Sequence, residues 1–189
     1  MNLTIVPLTS DLWPVLEDLF GRSGASNGCW CMYWRIGSAY KRPRGQNKEA
    51  LREIVERGPP PGLIALDGDV AVGWCQLTPR DALPWLDRMR WFERVDDVPV
   101  WSISCFYVRR GYRRQSVTSQ LIAAALKAAK HGGAPALEAY PVDLSVPKST
   151  SNIFTGTAST FARAGFKEVA CRASARPIMR YDLKAAEPL

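Results

Sequence analysis

A chain of 189 residues, 47% hydrophobic and 23% charged, has the size and composition of one ordinary folded domain and excludes a disordered or fibrous protein. No apolar run approaches the roughly 20 residues of a membrane-spanning helix, and the start MNLTIVPLTSDLW lacks a basic region followed by an apolar stretch, so a cytoplasmic location is expected. The net charge of +7 is not one lysine-rich tail; it clusters at Lys41-Arg42-Pro43-Arg44 and at Arg109, Arg110, Arg113 and Arg114.

In chain order, Leu3 to Leu8 alternates apolar and polar residues and predicts an opening strand. Thr9 or Ser10 can cap a helix running to about Phe20, with Gly21 after its end. The segment GCWCMYW, Gly28 to Trp34, is dense in aromatics and predicts a buried or pocket-lining stretch. Asn47 to Arg57 is a second amphipathic helix, stopped by Gly58 and three prolines. Gly62 to Asp67 and Val70 to Leu77, joined through Asp67-Gly68-Asp69, predict a hairpin. Residues 79 to 99 read as irregular. Beyond them come a strand at Trp101 to Val108, a helix at Val117 to Lys130 and a strand at Ala136 to Tyr140. A short helix at Thr157 to Ala164 follows, and Phe166 to Leu183 holds one or two final strands. With no repeat, low-complexity tract or linker, residues 1 to 189 are read as a single domain with a mixed sheet covered by helices.

The five cysteines, Cys29, Cys31, Cys75, Cys105 and Cys171, are odd in number and scattered, which argues for reduced thiols. The Cys29-x-Cys31 pair and the single His131 do not have the spacing of a zinc module, so no metal is expected.

The informative stretch is the strand from Trp101, the loop RRGYRRQSVT and the helix that follows. A loop entering a helix leaves several backbone N–H groups without partners, all pointing along the axis. The helix dipole adds about half a positive charge there, so a phosphate or pyrophosphate is a natural occupant. The four arginines place further positive charge on the same turn, and Ser116 and Thr118 offer hydroxyls that can cap the helix or donate to phosphate. Neither a GxxxxGK[ST] loop nor a GxGxxG fingerprint is present.

VWSISCFYVRRGYRRQSVTSQLIAAALKAA resembles the central acetyl-CoA motif of the GNAT (GCN5-related) N-acetyltransferases, whose loop reads [Q/R]xxGx[G/A]. The matching residues are Arg113, Arg114, Gln115, Ser116, Val117 and Thr118, preceded by Phe106, Tyr107 and Val108. The strand VAVGWCQ, Val70 to Gln76, and the segment Phe161 to Phe166, similar to YEKxGF, agree with it. The resemblance implies the GNAT fold: an α/β domain with a mixed, mostly antiparallel central sheet flanked by helices. It implies acetyl-CoA or another acyl-CoA as cosubstrate, with the pyrophosphate on the loop amides and the pantetheine arm along Phe106 to Val108. A strand amide would hold the thioester oxyanion during direct attack by an amine. Ser159 and Phe161, on the late helix, fall beside the cosubstrate in such a fold.

The sequence departs from the family pattern in four places, one of them Thr118, where glycine or alanine is usual. Ser116 stands where glycine is usual, which is tolerable if its φ is helical. Phe161 stands where a tyrosine commonly protonates the leaving thiolate, and Phe154 where asparagine is common. Tyr140 and Ser159 are replacement candidates for the acid. The general base is sought among Glu138, on the strand flanking the cleft, and Glu93, Asp96 and Asp97. Cys105 has no histidine beside it in sequence and is not expected to be a nucleophile. Trp30, Tyr33, Trp34, Trp85 and Trp91 either shape an acceptor pocket or fill the core. The acceptor is a small-molecule or peptide amine; nucleic acid and membrane are not expected as partners, and monomer and homodimer both stay open. The alternative function is a GNAT-fold module that binds acyl-CoA or a partner with little or no turnover.

Overall fold

The computed structural model describes residues 3–147 and 153–183. Its strands are β1 (Thr4–Pro7), β2 (Gly62–Asp67), β3 (Val70–Pro79), β4 (Trp101–Val108), β5 (Ala136–Ala139), β6 (Lys167–Ala170) and β7 (Ile178–Asp182). Its α-helices are α1 (Trp13–Phe20), α2 (Tyr33–Ile36), α3 (Gln46–Arg57), α4 (Trp85–Arg88), α5 (Val117–His131) and α6 (Ala158–Arg163). The predicted elements are all found, with ends shifted by a few residues. The first helix is split, because Ser10–Leu12 form a 3-10 turn and Pro14 suits only the opening turn of α1.

The strands form one sheet in the order β1-β2-β3-β4-β5-β7-β6, antiparallel throughout except between β4 and β5. Both faces are covered. Leu63, Ala65, Val72, Ile103 and Phe106 face α5 and α6, while Ile64, Ala71 and Trp74 face α1 and α3. Double coverage explains why β2 reads as a nearly unbroken apolar run, GLIALD.

α5 forms because VTSQLIAAALKAAKH is rich in strong helix formers and carries an apolar stripe at Val117, Leu121, Ile122, Ala125 and Ala129. Ala124 and Ala128 lie at the edge of that stripe and are only partly buried. Gly73 of β3 lets the start of α5 sit close on the sheet: a Cβ there would lie 2.7 Å from Cγ1 of Val117.

β4 changes phase midway. Trp101 and Ile103 point to the α5 side, yet so do Phe106 and Val108, while Cys105 and Tyr107 face α1. The register with β3 shifts there, pairing Leu77 with Ile103 and Gln76 with Cys105, which leaves Ser104 as the extra residue of a β-bulge.

Candidate functional site

β5 pairs with β4 only at Trp101, Ser102 and Ile103, so among the described residues no strand lies against the β5-side edge of β4 from Ser104 to Val108. Unpaired strand edge offers N–H and C=O groups to any extended ligand that carries amides. The open edge leads straight into the loop before α5. There, Arg109 donates to the Ala71 carbonyl at 2.8 Å and pairs with Asp18 at 2.5 Å. Arg113 Nε donates to the Val108 carbonyl at 3.1 Å, and Gln115 Nε2 to the Gly111 carbonyl at 2.8 Å. Arg110 and Arg114 are exposed. The arginine cluster is therefore divided: Arg109 braces the loop, Arg113 ties it to the strand, and Arg110 and Arg114 face solvent.

Arg114 and Ser116 both lie in the left-handed region, with φ of 62° and 60°. Ser116 thus does not have the helical φ that would make a serine comfortable there. The chain needs this geometry to turn from the strand into the α5 axis, and a residue with a Cβ stores on the order of 1–2 kcal/mol in adopting it. The Ser116 side chain makes no capping bond, and the first helix amide to find a carbonyl is Gln120, on Ser116 O at 3.1 Å. The amides before it, through Val117 and Thr118, point out of the helix end, and left-handed turns aim such amides at a common point. This is a fitting cradle for a pyrophosphate.

Beside the open edge lies a cavity of about 680 Å³. Cys105, Phe106 and Tyr107 of β4 form its floor, and Ile153 and Phe154 one side. Cys29, Cys31, Tyr33, Trp34 and Tyr40 form a second wall, Met89, Trp91 and Phe92 a third, and Ala173 and Arg176 a fourth. The second wall, a turn-rich stretch that includes α2, is held by buried polar bonds. Asn47 at the start of α3 donates to the carbonyls of Gly28 and Tyr40, both at 2.7 Å. Gln76 donates to the Cys31 carbonyl at 3.1 Å and accepts from the Ser104 hydroxyl at 2.8 Å. Trp34 Nε1 donates to the Ser104 carbonyl at 3.0 Å, pinning the bulge.

Of the five aromatics flagged in sequence, Tyr33, Trp34 and Trp91 line the cavity. Trp30 stacks on Trp13 in the core, and Trp85 covers Gly37, where a Cβ would meet its ring at 2.2 Å. Two of the cavity's thiols, Cys29 and Cys105, are held neutral. Burial and the neighbouring Cys31 push Cys29 up to about 11. The Cys31 thiol, donating to Cys105 at 3.5 Å, together with burial raises Cys105 well above the usual thiol range. No carboxylate and no imidazole is among the described residues lining the cavity.

The two residues expected to carry proton transfer, Glu138 and Tyr140, sit elsewhere. Glu138 is 1% exposed; it accepts from Arg180 at 2.7 and 3.0 Å and lies 3.4 Å from Arg80. Tyr140, fully buried, accepts from Arg80 at 2.7 Å, donates to Glu138 at 3.1 Å and shares a bond with Ser102 at 2.8 Å. Burial and the Glu138 charge raise the Tyr140 phenol, so it keeps its proton. Arg80 completes the cluster on Asp87 at 2.6 Å and on the Phe92 carbonyl at 2.5 Å. Burial works against the Arg80 charge, but Tyr140, Asp87 and Glu138 outweigh it, and its pKa is raised. This network fastens the segment carrying Phe92 to β5 and β7. Glu138 and Tyr140 thus lie in a buried network behind the cavity wall and are not among the residues lining the cavity.

The remaining candidates divide as follows. Asp96 pairs with Arg180 at 2.7 Å, and Glu93 and Asp97 are exposed outside the cavity lining. Ser159 is exposed on α6, its hydroxyl 3.4 Å from that of Thr157. Phe161 is fully buried, packed on Phe106 and Phe166. Sequence reasoning missed Asn47, Arg80 and Arg176; an arginine next to a proline carries no periodic signal. Among the described residues no group of three or more His, Cys, Asp or Glu side chains is placed to hold a metal ion, and no helix is long and apolar enough to cross a membrane.

Solved structures share this arrangement at low sequence identity. The N-acetyltransferase from Staphylococcus aureus Mu50 superposes with a TM-score of 0.58 at 15% identity, covering 97% of this chain and 100% of that one. YncA of Salmonella typhimurium, solved with its cofactor acetyl-CoA, gives 0.59 at 13%, covering 98% and 96%. The ribosomal-protein-S18-alanine N-acetyltransferase from Escherichia coli gives 0.53 at 13%, covering 100% and 99%. No curated protein sequence matches the chain. Residues 28–148, well over half of the chain, match the model of the acetyltransferase (GNAT) family, and the chain belongs to that family.

Proposed function

We propose that the protein is an N-acetyltransferase that moves an acetyl or other acyl group from its CoA thioester to an amine bound in the aromatic cavity. The observation that carries the reading is a continuity. The open edge of β4 runs from the unpartnered amides at the start of α5 to the cavity floor at Cys105, Phe106 and Tyr107. Arg113 to Thr118 would hold the pyrophosphate through backbone amides, with Arg114 adding charge. Phe106, Tyr107 and Val108 would pair with the amides of the pantetheine arm. The cosubstrate supplies an activated acyl carbon as a thioester.

The chain's own part is to place and desolvate the amine. Aromatic walls exclude water, and a β4 amide next to the bulge offers a donor to negative charge developing on the acyl oxygen. As the nitrogen lone pair forms the C–N bond and the C–S bond breaks, one proton must leave the nitrogen and one must reach sulfur. With the Cys29 and Cys105 thiols neutral and no carboxylate among the described residues lining the cavity, water carries the first of these. Acyl-CoA binding without turnover is the second reading, favoured by the same lack of a charged base and by the buried phenylalanine at 161.

Thermal unfolding with acetyl-CoA, CoA, ATP and a short RNA separates the possibilities. A ligand at a hundred times its Kd adds about 2.7 kcal/mol. Both CoA species should raise Tm while ATP and RNA do not, and an amine panel should then yield acetylated product. No rise with CoA would remove the cosubstrate site, and a rise without product would select the second reading.

A further inference from the structure

Arg176 stands out in the cavity wall. It is half-buried, its guanidinium lies 5.0 Å from the Phe92 ring centroid, and its one side-chain hydrogen bond among the described residues is a long one to Thr155 Oγ1, 3.4 Å. No carboxylate among the described residues lies within ion-pairing distance of it. Arg35, likewise without an acidic partner among the described residues, donates to the Ala82 carbonyl at 3.2 Å. Arg80 and Arg180 each hold two acidic partners, whereas Arg176 faces Tyr33, Trp34, Phe92 and the cavity. Burial without a counter-charge works against its cation, and its pKa is lowered accordingly. A guanidinium held on an aromatic wall and lacking an acid is incomplete on its own, and its planar fork matches a carboxylate.

The geometry points to an acceptor of defined class: an aromatic or large apolar amine that carries a carboxylate, in the manner of a free aromatic amino acid, with the carboxylate on Arg176 and the ring among Tyr33, Trp34 and Trp91. Arg176 and the β4 residues Cys105 and Phe106 line one cavity, so a molecule anchored at the guanidinium would hold its amine in the same cavity as the β4 edge. The absence of acidic side chains agrees with this assignment, because a polyamine or aminoglycoside carrying several positive charges would meet a cation and no carboxylate. The assignment rests on the acyl-transfer reading for the amine's fate, but the binding of the carboxylate does not.

The test pairs each amine with its decarboxylated or amidated form: L-phenylalanine with 2-phenylethylamine and L-phenylalaninamide, and L-tryptophan with tryptamine. Binding is read calorimetrically with CoA present, and transfer is read by product mass. The wild type should favour the carboxylated member by ~10- to 100-fold in Kd or KM, the range of a charge-assisted hydrogen bond. Arg176→Gln should erase that ratio while leaving the decarboxylated amine within about two-fold, and Arg176→Lys should recover part of it. Arg176→Glu should invert the preference toward diamines, which keeps the idea testable should the neutral variant lose its fold. No carboxylate preference in the wild type, or a preference unchanged in Arg176→Gln, would overturn the assignment even if amines are acetylated. Carboxylate-dependent binding without product would uphold it and sink the transfer reading.

Discussion

Trp34 and Ser104, seventy residues apart, are joined by a buried hydrogen bond of 3.0 Å from the indole N–H to the backbone carbonyl at the β4 bulge. One bond thereby fixes both the strand edge that faces the cosubstrate cleft and the wall that faces the acceptor. Replacing the indole by phenyl leaves the carbonyl buried without its donor, which costs about 1–3 kcal/mol. Trp34→Phe should therefore lower stability in urea by that amount and raise KM for the amine and for acetyl-CoA together. A rise confined to one substrate would show that the bond does not couple the two sites.

Ser116 offers a test in the opposite direction. Its φ of 60° suits glycine, so Ser116→Gly should raise stability by up to about 1 kcal/mol and bind CoA at least as tightly. Ser116→Asp puts a negative charge beside the expected pyrophosphate and should weaken CoA by about tenfold or more. Equal affinity in wild type and the aspartate variant would move the pyrophosphate off this loop.

Proton transfer should follow the acceptor. No carboxylate is among the described residues lining the cavity, and the Cys29 and Cys105 thiols are held up, Cys29 to about 11, so neither is a thiolate base near neutrality. The logarithm of kcat/KM should climb with pH at about unit slope until the amine's own pKa, and shift when an acceptor of different pKa is used. A plateau at one pH for every acceptor would reveal an enzyme base. By the same argument Cys105→Ala should retain turnover, and no acetylated enzyme should be seen by mass.

Glu138→Gln should act on the fold. It leaves two guanidiniums facing a neutral group in a buried site, and removing one partner of such a cluster costs about 3–5 kcal/mol. The folded fraction that remains should keep its kcat; a lost kcat with unchanged stability would restore a catalytic role. The same cluster predicts the acid limb. Hydrogen bonding to Arg180 holds Asp96 below the usual carboxylate range, so its contribution is present above the unfolded pKa of about 3.9 and disappears as pH falls through the lowered folded value. Asp96→Asn should flatten the Tm profile below about pH 4 and leave Tm there close to that of the wild type.

Periodicity and punctuation made the elements legible. The Trp101–Val108 strand and the helix after it stand between clear stops, and Gly58 with its prolines ends α3 where the structure does. The resemblance of residues 113–118 to a cosubstrate loop added the family. What pattern alone could not reveal was the company each side chain keeps. Glu138 reads as an acid on a strand beside a cleft, because nothing in sequence brings Arg80 and Arg180 to it from 58 and 42 positions away. The left-handed Ser116 was hidden for a related reason: the direction of a loop is set by the elements at both ends. Arg176 and Asn47 were invisible because their roles come from what surrounds them.

The three rungs between β4 and β5 also bear on handling the protein. A sheet that comes apart in its middle exposes, within the molecule, the kind of backbone that other chains use as a template for strand addition. An extended ligand along Ser104 to Val108 would serve as a temporary eighth strand and would keep a neighbouring copy from pairing there. Concentrated preparations should thus stay monodisperse longer when that place is filled.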